Sequence, residues 1–71
     1  MFGERIKDLR EERGMSQAKL AELLRCNQQT VSKYERELRD LNTQTLIALT
    51  RIFKVSSDYI LGLEDETGAK T

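Results

Sequence analysis

Proline, tryptophan and histidine are absent from this 71-residue sequence, and cysteine occurs once, at Cys26. One cysteine cannot form an internal disulfide, and one cysteine without histidine cannot form a zinc site. Without histidine, the candidates for catalysis are serines, Cys26 and paired carboxylates, and the acidic pairs fall on a predicted helix surface or in the polar tail. We therefore expect no enzymatic activity, no metal and no cofactor, and we interpret Cys26 as a small buried apolar residue.

Long apolar runs, a signal peptide and strand-like alternation are also missing. These absences argue against membrane insertion and secretion, and the cysteine content fits a reducing cytoplasm. The length allows one domain, which at this size buries only about 60% of its unfolded surface. Because helix-forming residues dominate, the sequence predicts an all-α domain over residues 1–63 and a short polar tail over residues 64–71.

The charge is balanced, with 12 basic and 12 acidic residues and an isoelectric point of about 6.2. A nucleic-acid-binding domain is usually basic, so this balance lowers the expectation of tight non-specific binding. The distribution is locally biased, because residues 25–39 hold four basic and two acidic side chains: Arg25, Lys33, Arg36 and Arg39, against Glu35 and Glu37. The tail, in contrast, carries Glu64, Asp65 and Glu66.

Five short helices account for the apolar pattern. We place them at about residues 3–13, 17–24, 28–36, 43–53 and 58–61. Ser16, Asn27, Asn42 or Thr43, and Ser56 or Ser57 are the predicted N-caps, and Gly14 and Gly62 follow helix ends. Residues 37–42 are predicted to form a loop with Leu38 and Leu41 packed inward, and extension of the third helix by one turn is the alternative.

The chain is organised around residues 17–36, which form two short helices joined by a tight turn. Apolar stripes on the two helices, Leu20–Ala21–Leu24 and Val31–Tyr34, predict their buried faces. The small side chain of Ala21 permits a close helix crossing. The second of these helices has a polar outer face, whose members are Gln28, Gln29, Ser32, Lys33 and Arg36. Glutamine pairs bidentately with adenine and lysine donates to guanine, so this face has the chemistry of a base-contacting helix, although solvated surface is the alternative.

The stretch resembles the helix-turn-helix of phage repressor and Cro proteins and of the related Xre-type bacterial regulators. The matching residues are Met15–Ser16–Gln17, Leu20–Ala21, Leu24, residues 27–35, Leu46, Leu49 and residues 58–62. The likeness covers nearly the whole chain and implies a lambda-repressor-like five-helix fold. It also implies a homodimer on a palindromic operator in double-stranded DNA, with the third helix in the major groove.

The resemblance also assigns residues. It implies base contacts by Gln28, Gln29, Ser32 and Lys33, and phosphate contacts by Gln17, Asn27, Thr30, Arg36 and Arg39. It implies a buried ion pair between Arg10 and Glu35. The sequence departs from the family at Arg25, where glycine is common and a left-handed backbone costs another residue roughly 1–2 kcal/mol.

The expected function is that of a DNA-binding transcriptional regulator, with repression as the expected mode. Dimer contacts are expected from Tyr59, Ile60, Leu61 and Leu63, since one short helix cannot bury four large apolar side chains, and the alternative is that Leu63 folds back onto the core. A protein-interaction module of the same fold (an antitoxin or a coactivator-type bridge) and a restriction–modification controller are the alternative functions. No small-molecule ligand is expected, because the sequence shows no inducer pocket.

Overall fold

The computed structural model describes residues 1–63, and the predicted tail over residues 64–71 lies outside the described residues. Five helices occur in this part of the chain: α1 (Phe2–Glu12), α2 (Gln17–Leu24), α3 (Gln28–Glu35), α4 (Thr43–Phe53) and α5 (Ser57–Ile60). Residues 1–63 contain no strand, which confirms the all-α class. Over the same residues, every helix is too short or too polar to cross a bilayer.

Side-chain caps start the four helices after α1. The side-chain oxygens of Ser16, Asn27, Asn42 and Ser56 each accept a hydrogen bond from the backbone N–H three residues further on. This bond satisfies one of the backbone donors that a helix N-terminus leaves unpaired. The predicted caps at Ser16 and Asn27 are confirmed, and the two open choices resolve to Asn42 and Ser56.

Left-handed residues end several helices. Arg25 (φ 59°) closes α2, as its position in the family pattern predicts, and Lys54 (φ 56°) closes α4. After α3, Glu37 takes the same conformation (φ 58°), and the Leu38 amide donates to the Lys33 carbonyl at 2.8 Å. This closure ends α3 at Glu35, so the alternative of a longer third helix is wrong.

The hydrophobic core draws on all five helices. Its buried members are Ile6, Leu9, Leu20, Ala21, Val31, Tyr34, Leu49, Phe53 and Ile60. Leu41 packs against this core as predicted, but Leu38 is 65% exposed, so its predicted inward packing is wrong. The physical reason is the reversal at Glu37, which turns the chain outward directly after α3.

The start of α1 lies against the end of α3. The Gly3 amide donates to Glu37 Oε2 at 3.2 Å, and the α-amino group of Met1 lies 3.1 Å from the same oxygen. A Cβ atom at Gly3 would overlap the Glu35 carbonyl oxygen, so only glycine permits this approach. Glu37 therefore supplies negative charge at the N-terminus of α1, where the helix dipole favours it.

Candidate nucleic-acid interface

The turn between α2 and α3 fixes the angle of the two helices. Arg25 reverses the chain in the left-handed conformation, and the Cys26 amide donates to the Ala21 carbonyl at 2.9 Å. Asn27 then starts α3 in extended geometry, and its Oδ1 accepts from the Thr30 amide at 2.8 Å. Cys26 packs on the core half-buried, and this burial raises the pKa of its thiol.

The outer face of α3 carries the four predicted base-contacting residues. Gln28, Gln29 and Lys33 are exposed and Ser32 is half-buried. At about 100° per residue the four span about 140° of the helix circumference, opposite the side that is buried in the core. The structure therefore brings these residues together on one accessible surface, which we call the α3 face.

The predicted phosphate-contacting residues border the α3 face in different ways. Gln17 is the first residue of α2 and is half-buried, whereas Arg36 directly follows α3 and is exposed. Thr30 Oγ1 donates to Asn27 Oδ1 at 2.9 Å, so these two side chains are already joined at the cap. The Arg39 guanidinium lies 5.9 Å from the centre of the Tyr34 ring, which holds this arginine close to the end of α3.

Arg10 and Glu35 form the predicted buried ion pair. Arg10 Nε donates to Glu35 Oε2 at 2.6 Å and Arg10 Nη2 donates to Oε1 at 3.2 Å. The side chains are 11% and 4% exposed, and Arg10 Nη1 also donates to the Met15 carbonyl at 2.8 Å. The hydrogen bond to Glu35 raises the pKa of the Arg10 guanidinium above its ordinary value. The pair joins α1 to the end of α3.

The two acidic side chains near the α3 face are both engaged by α1. Glu35 is bound to Arg10, and Glu37 is bound to the Gly3 amide and the Met1 ammonium. Within residues 1–63, neither Lys33 nor Arg36 forms an ion pair, so their charge is available to an outside anion. The local charge balance is therefore more basic than the sequence count indicates.

Sequence reasoning missed two features of this region. Glu37 has a carboxylate whose partner is 34 positions away, so no local pattern reveals the contact. The second feature is a link among Gln17, Gln28 and Glu35: Gln17 Nε2 donates to Glu35 Oε1 at 3.0 Å, and Gln28 Nε2 donates to Gln17 Oε1 at 3.5 Å.

The predicted dimer residues are not equivalent. Ile60 is fully buried in the core, so its predicted dimer contact is wrong: a one-turn helix must direct one residue inward, and Ile60 has that position. Leu61 and Leu63 are 37% and 67% exposed. Tyr59 is half-buried, and the Arg5 guanidinium lies 4.2 Å from the centre of its ring.

A hollow of about 310 Å³ lies between α1 and the end of α5. Its lining includes three acidic side chains of α1 (Glu4, Asp8 and Glu12), together with the basic Arg5, Tyr59 and the N-terminal Met1. None of its lining residues belongs to the α3 face or to the predicted phosphate contacts, so these three carboxylates lie on a different part of the surface.

Comparisons with known proteins agree with this geometry. The chain is 41% identical over 69 residues to the HTH-type transcriptional regulator ImmR of Bacillus subtilis (strain 168), covering 97% of this chain and 54% of ImmR. It is 39% identical over 61 residues to the prophage-derived uncharacterized regulator YonR of the same strain, covering 86% of this chain and 56% of YonR. The chain thus spans about half the length of these curated relatives.

Solved structures of helix-turn-helix proteins are also similar to this chain. The P22 c2 repressor, crystallised in complex with a synthetic operator, superposes with a TM-score of 0.80 at 30% identity, covering 84% of this chain and 91% of the repressor chain. SinR, a master regulator for biofilm formation crystallised in complex with DNA, gives 0.77 at 34% identity, covering 86% and 98%. A helix-turn-helix family model matches residues 6–60, and the chain belongs to this family of helix-turn-helix proteins.

Proposed function

We propose that this chain is a sequence-specific DNA-binding transcriptional regulator that places α3 in the major groove. The observation that carries the proposal is the α3 face, where Gln28, Gln29 and Lys33 are exposed together beside Arg36. These side chains can contact base edges and phosphates, and P22 c2 repressor and SinR were each crystallised in complex with DNA. Repression is the mode that the P22 c2 relative supports, the cytoplasm is the expected location, and binding rather than catalysis is the expected role.

The site residues divide into two groups under this proposal. Gln28, Gln29, Ser32 and Lys33 contact base edges, and Gln17, Asn27, Thr30, Arg36 and Arg39 contact the DNA backbone. Gln17 lies at the N-terminus of α2, where backbone amides and the helix dipole favour a phosphate. Asn27 caps α3 through its Oδ1, which accepts from Thr30, so the Nδ2–H donors of its side chain are still available to a phosphate.

The proposed assembly is a homodimer on a palindromic operator. Leu61 and Leu63, with the adjoining half-buried Tyr59, form an apolar surface at the end of α5, which we call the α5 patch. Contiguous exposed apolar surfaces are typical of protein interfaces, which supports this patch as the dimer contact. Two-fold symmetry then presents two α3 faces to successive major grooves on one side of the duplex.

Selection of bound sequences from a random DNA pool tests the proposal. We expect a palindromic consensus, and we expect Gln28→Ala and Lys33→Ala each to cost about 1–3 kcal/mol on that site and to relax the preference at one base pair. Arg36→Ala should weaken binding to all sequences alike. Gln44→Ala, which removes an exposed glutamine of α4, is the matched control and should leave base preference unchanged.

Failure to enrich any sequence would contradict the proposal and favour a protein-interaction module of the same fold. A restriction–modification controller is a second candidate, because C.AhdI of Aeromonas hydrophila superposes with a TM-score of 0.76 at 27% identity, covering 83% of this chain and 89% of C.AhdI. If the selected consensus also occurs beside a neighbouring methyltransferase gene, this second candidate would be favoured.

A further inference from the structure

The hollow between α1 and the end of α5 is a second candidate site, and its residues have no part in the proposed DNA contacts. Its volume of about 310 Å³ is at the lower end of the range for ligand pockets, about 300–1,000 Å³. Three exposed carboxylates of α1 line it together with the guanidinium of Arg5 and the ring of Tyr59. The hollow therefore offers negative charge and a hydrogen-bond donor to one occupant.

Arg5 has a donor that the surrounding protein leaves unused. Its guanidinium lies 4.2 Å from the centre of the Tyr59 ring, and its Nη1 is buried without a hydrogen-bond partner among residues 1–63. A buried polar group without a partner is costly and is rare in folded proteins. An acceptor oxygen that enters the hollow and binds Nη1 therefore removes an existing cost.

The carboxylates determine which acceptor the hollow suits. Glu4 and Asp8 form no ion pair within residues 1–63, so their charge is available to an occupant. They disfavour a phosphate or a carboxylate, because like charges repel. No three acidic side chains of residues 1–63 lie close enough to hold a metal ion. The acceptor that fits is a neutral carbonyl oxygen on a molecule that also carries positive charge.

The spacing of the carboxylates indicates an extended peptide. Glu4, Asp8 and Glu12 follow one another at intervals of four residues, which places them about 6 Å apart along α1. In an extended peptide the side chains on one face recur every second residue, at about 6.6–6.8 Å. Basic residues at alternate positions therefore come opposite successive carboxylates. An extended peptide also has unpaired backbone carbonyls, whereas a helix uses most of its carbonyls internally.

We propose that the hollow binds an extended basic segment of a partner protein, with lysine or arginine at alternate positions. The basic side chains pair with Glu4, Asp8 and Glu12. A backbone carbonyl oxygen of the segment accepts a hydrogen bond from Arg5 Nη1, after the guanidinium rotates toward the hollow. This binding does not involve the α3 face, so it is independent of the proposed DNA-binding function and is tested without DNA.

The probe is a fluorescently labelled heptapeptide of alternating lysine and serine with uncharged ends, and fluorescence anisotropy at low salt measures its affinity for the full chain. A peptide of the same composition with its lysines in one block tests the spacing, and an alternating glutamate–serine peptide tests the charge. We expect saturable binding of the alternating lysine peptide, weaker binding of the block peptide and none of the acidic peptide. Equal affinity for the two lysine peptides, or saturable binding of the acidic peptide, would overturn the proposal.

Charge variants locate the bound peptide. Glu4→Gln combined with Asp8→Asn should weaken binding of the alternating lysine peptide by about 2–30-fold, the effect of losing two exposed ion pairs. Glu11→Gln combined with Glu22→Gln is the matched control, because it removes the same charge from exposed positions outside the hollow. Equal weakening by both double variants would show diffuse attraction and would overturn the site.

Arg5→Met separates a hydrogen bond from simple charge attraction. Methionine keeps an apolar contact with Tyr59 but removes a positive charge from the hollow. If the carboxylates alone attracted the peptide, the loss of this repelling cation would tighten binding. If Nη1 donates to the peptide, binding should weaken by about 2–13-fold despite the more favourable charge. Tighter or unchanged binding would overturn the proposal, and thermal unfolding monitored by circular dichroism verifies that each variant is folded.

A second copy of the chain is the alternative occupant of the hollow. Analytical ultracentrifugation of the Glu4→Gln, Asp8→Asn variant tests it, and we expect self-association equal to that of the wild type. If this variant lost self-association and the wild type bound no peptide, the hollow would belong to a contact between copies and the proposal would be overturned.

Discussion

Arg25 holds a backbone conformation that favours glycine. Its φ of 59° and ψ of 44° close α2, and its side chain is exposed. A left-handed conformation costs an L-residue roughly 1–2 kcal/mol. Glycine avoids this cost but lowers stability by about 0.4–1 kcal/mol, because it increases the conformational freedom of the unfolded chain. Arg25→Gly should therefore stabilise the domain by about 0.5–1 kcal/mol, which urea denaturation measures. Arg25→Ala is the control and should show no comparable gain, because alanine keeps the strained backbone.

The Arg10–Glu35 pair is expected to contribute strongly to the stability of the fold. Glu35→Ala leaves a nearly buried guanidinium with only the Met15 carbonyl as a hydrogen-bond acceptor and should cost about 3 kcal/mol, the lower end of the range for a broken buried pair. Replacing both residues by apolar ones of similar size should recover much of this loss. Thermal unfolding of the single and double variants measures both effects. An unchanged melting temperature for Glu35→Ala would show that the pair contributes nothing to stability.

Helix α1 is joined to the end of α3 by a contact that depends on pH. The hydrogen bond from the Met1 ammonium, together with that from the Gly3 amide, lowers the pKa of Glu37. The unfolded chain, with a glutamate pKa of about 4.3, therefore binds this proton more readily than the folded chain. The contact stabilises the fold above that pH, and the stabilisation is lost as the pH falls through the lower folded pKa.

Glu37→Gln tests this contact while keeping a comparable strained backbone at residue 37. At pH 7 the variant should have a lower melting temperature than the wild type, and the two melting temperatures should converge as the pH falls below the unfolded glutamate pKa of about 4.3. Calorimetric unfolding across this range gives the difference directly. A difference that stayed constant with pH would show that the charge of Glu37 has no role in joining α1 to α3.

Local pattern was enough to predict where the helices begin. Ser16 and Asn27 precede apolar stripes and cap as expected, and the left-handed Arg25 follows from the family pattern. Glu37 was not predicted, because its partners lie on α1 at the other end of the helical region and depend on the completed fold. Ile60 was misplaced for a related reason: four large apolar residues within five positions do not indicate which one faces the core. The roles on the α3 face remain predictions.

The acidic side chains near the α3 face are paired, although basic and acidic charges cancel over the whole chain. Glu35 and Glu37 are both bound by α1, and Glu4, Asp8 and Glu12 lie apart from the α3 face. Affinity should therefore depend on salt despite the zero net charge: for about 6–10 phosphate contacts per dimer it should fall about 10³–10⁵-fold between 50 and 200 mM salt. Fluorescence anisotropy on the selected operator measures this slope, and a flat profile would contradict DNA backbone contacts.

Two arginine variants test which part of the surface causes the salt dependence of DNA affinity. Arg36→Ala should reduce the slope of log affinity against log salt by about 1 per subunit, because one phosphate contact is lost. Arg51→Ala, which removes an exposed arginine from the last turn of α4, should leave the slope unchanged. Equal reductions by both variants would indicate diffuse attraction and not a defined contact at Arg36.

Under the proposed function the chain must also assemble, because one α3 face would contact too few base pairs to find a site in a genome. A symmetric dimer doubles the contacts and sets half-sites about 34–36 Å apart. The α5 patch is small, so we expect weak association in solution that strengthens on an operator. Leu63→Asp should abolish solution dimers and cooperative operator binding, as measured by analytical ultracentrifugation with and without a palindromic site. Leu38→Asp is the matched control for solution association, since Leu38 and Leu63 are 65% and 67% exposed on different parts of the fold. If Leu63→Asp dimerised normally while Leu38→Asp did not, the interface would lie at the end of α3 and not on the α5 patch.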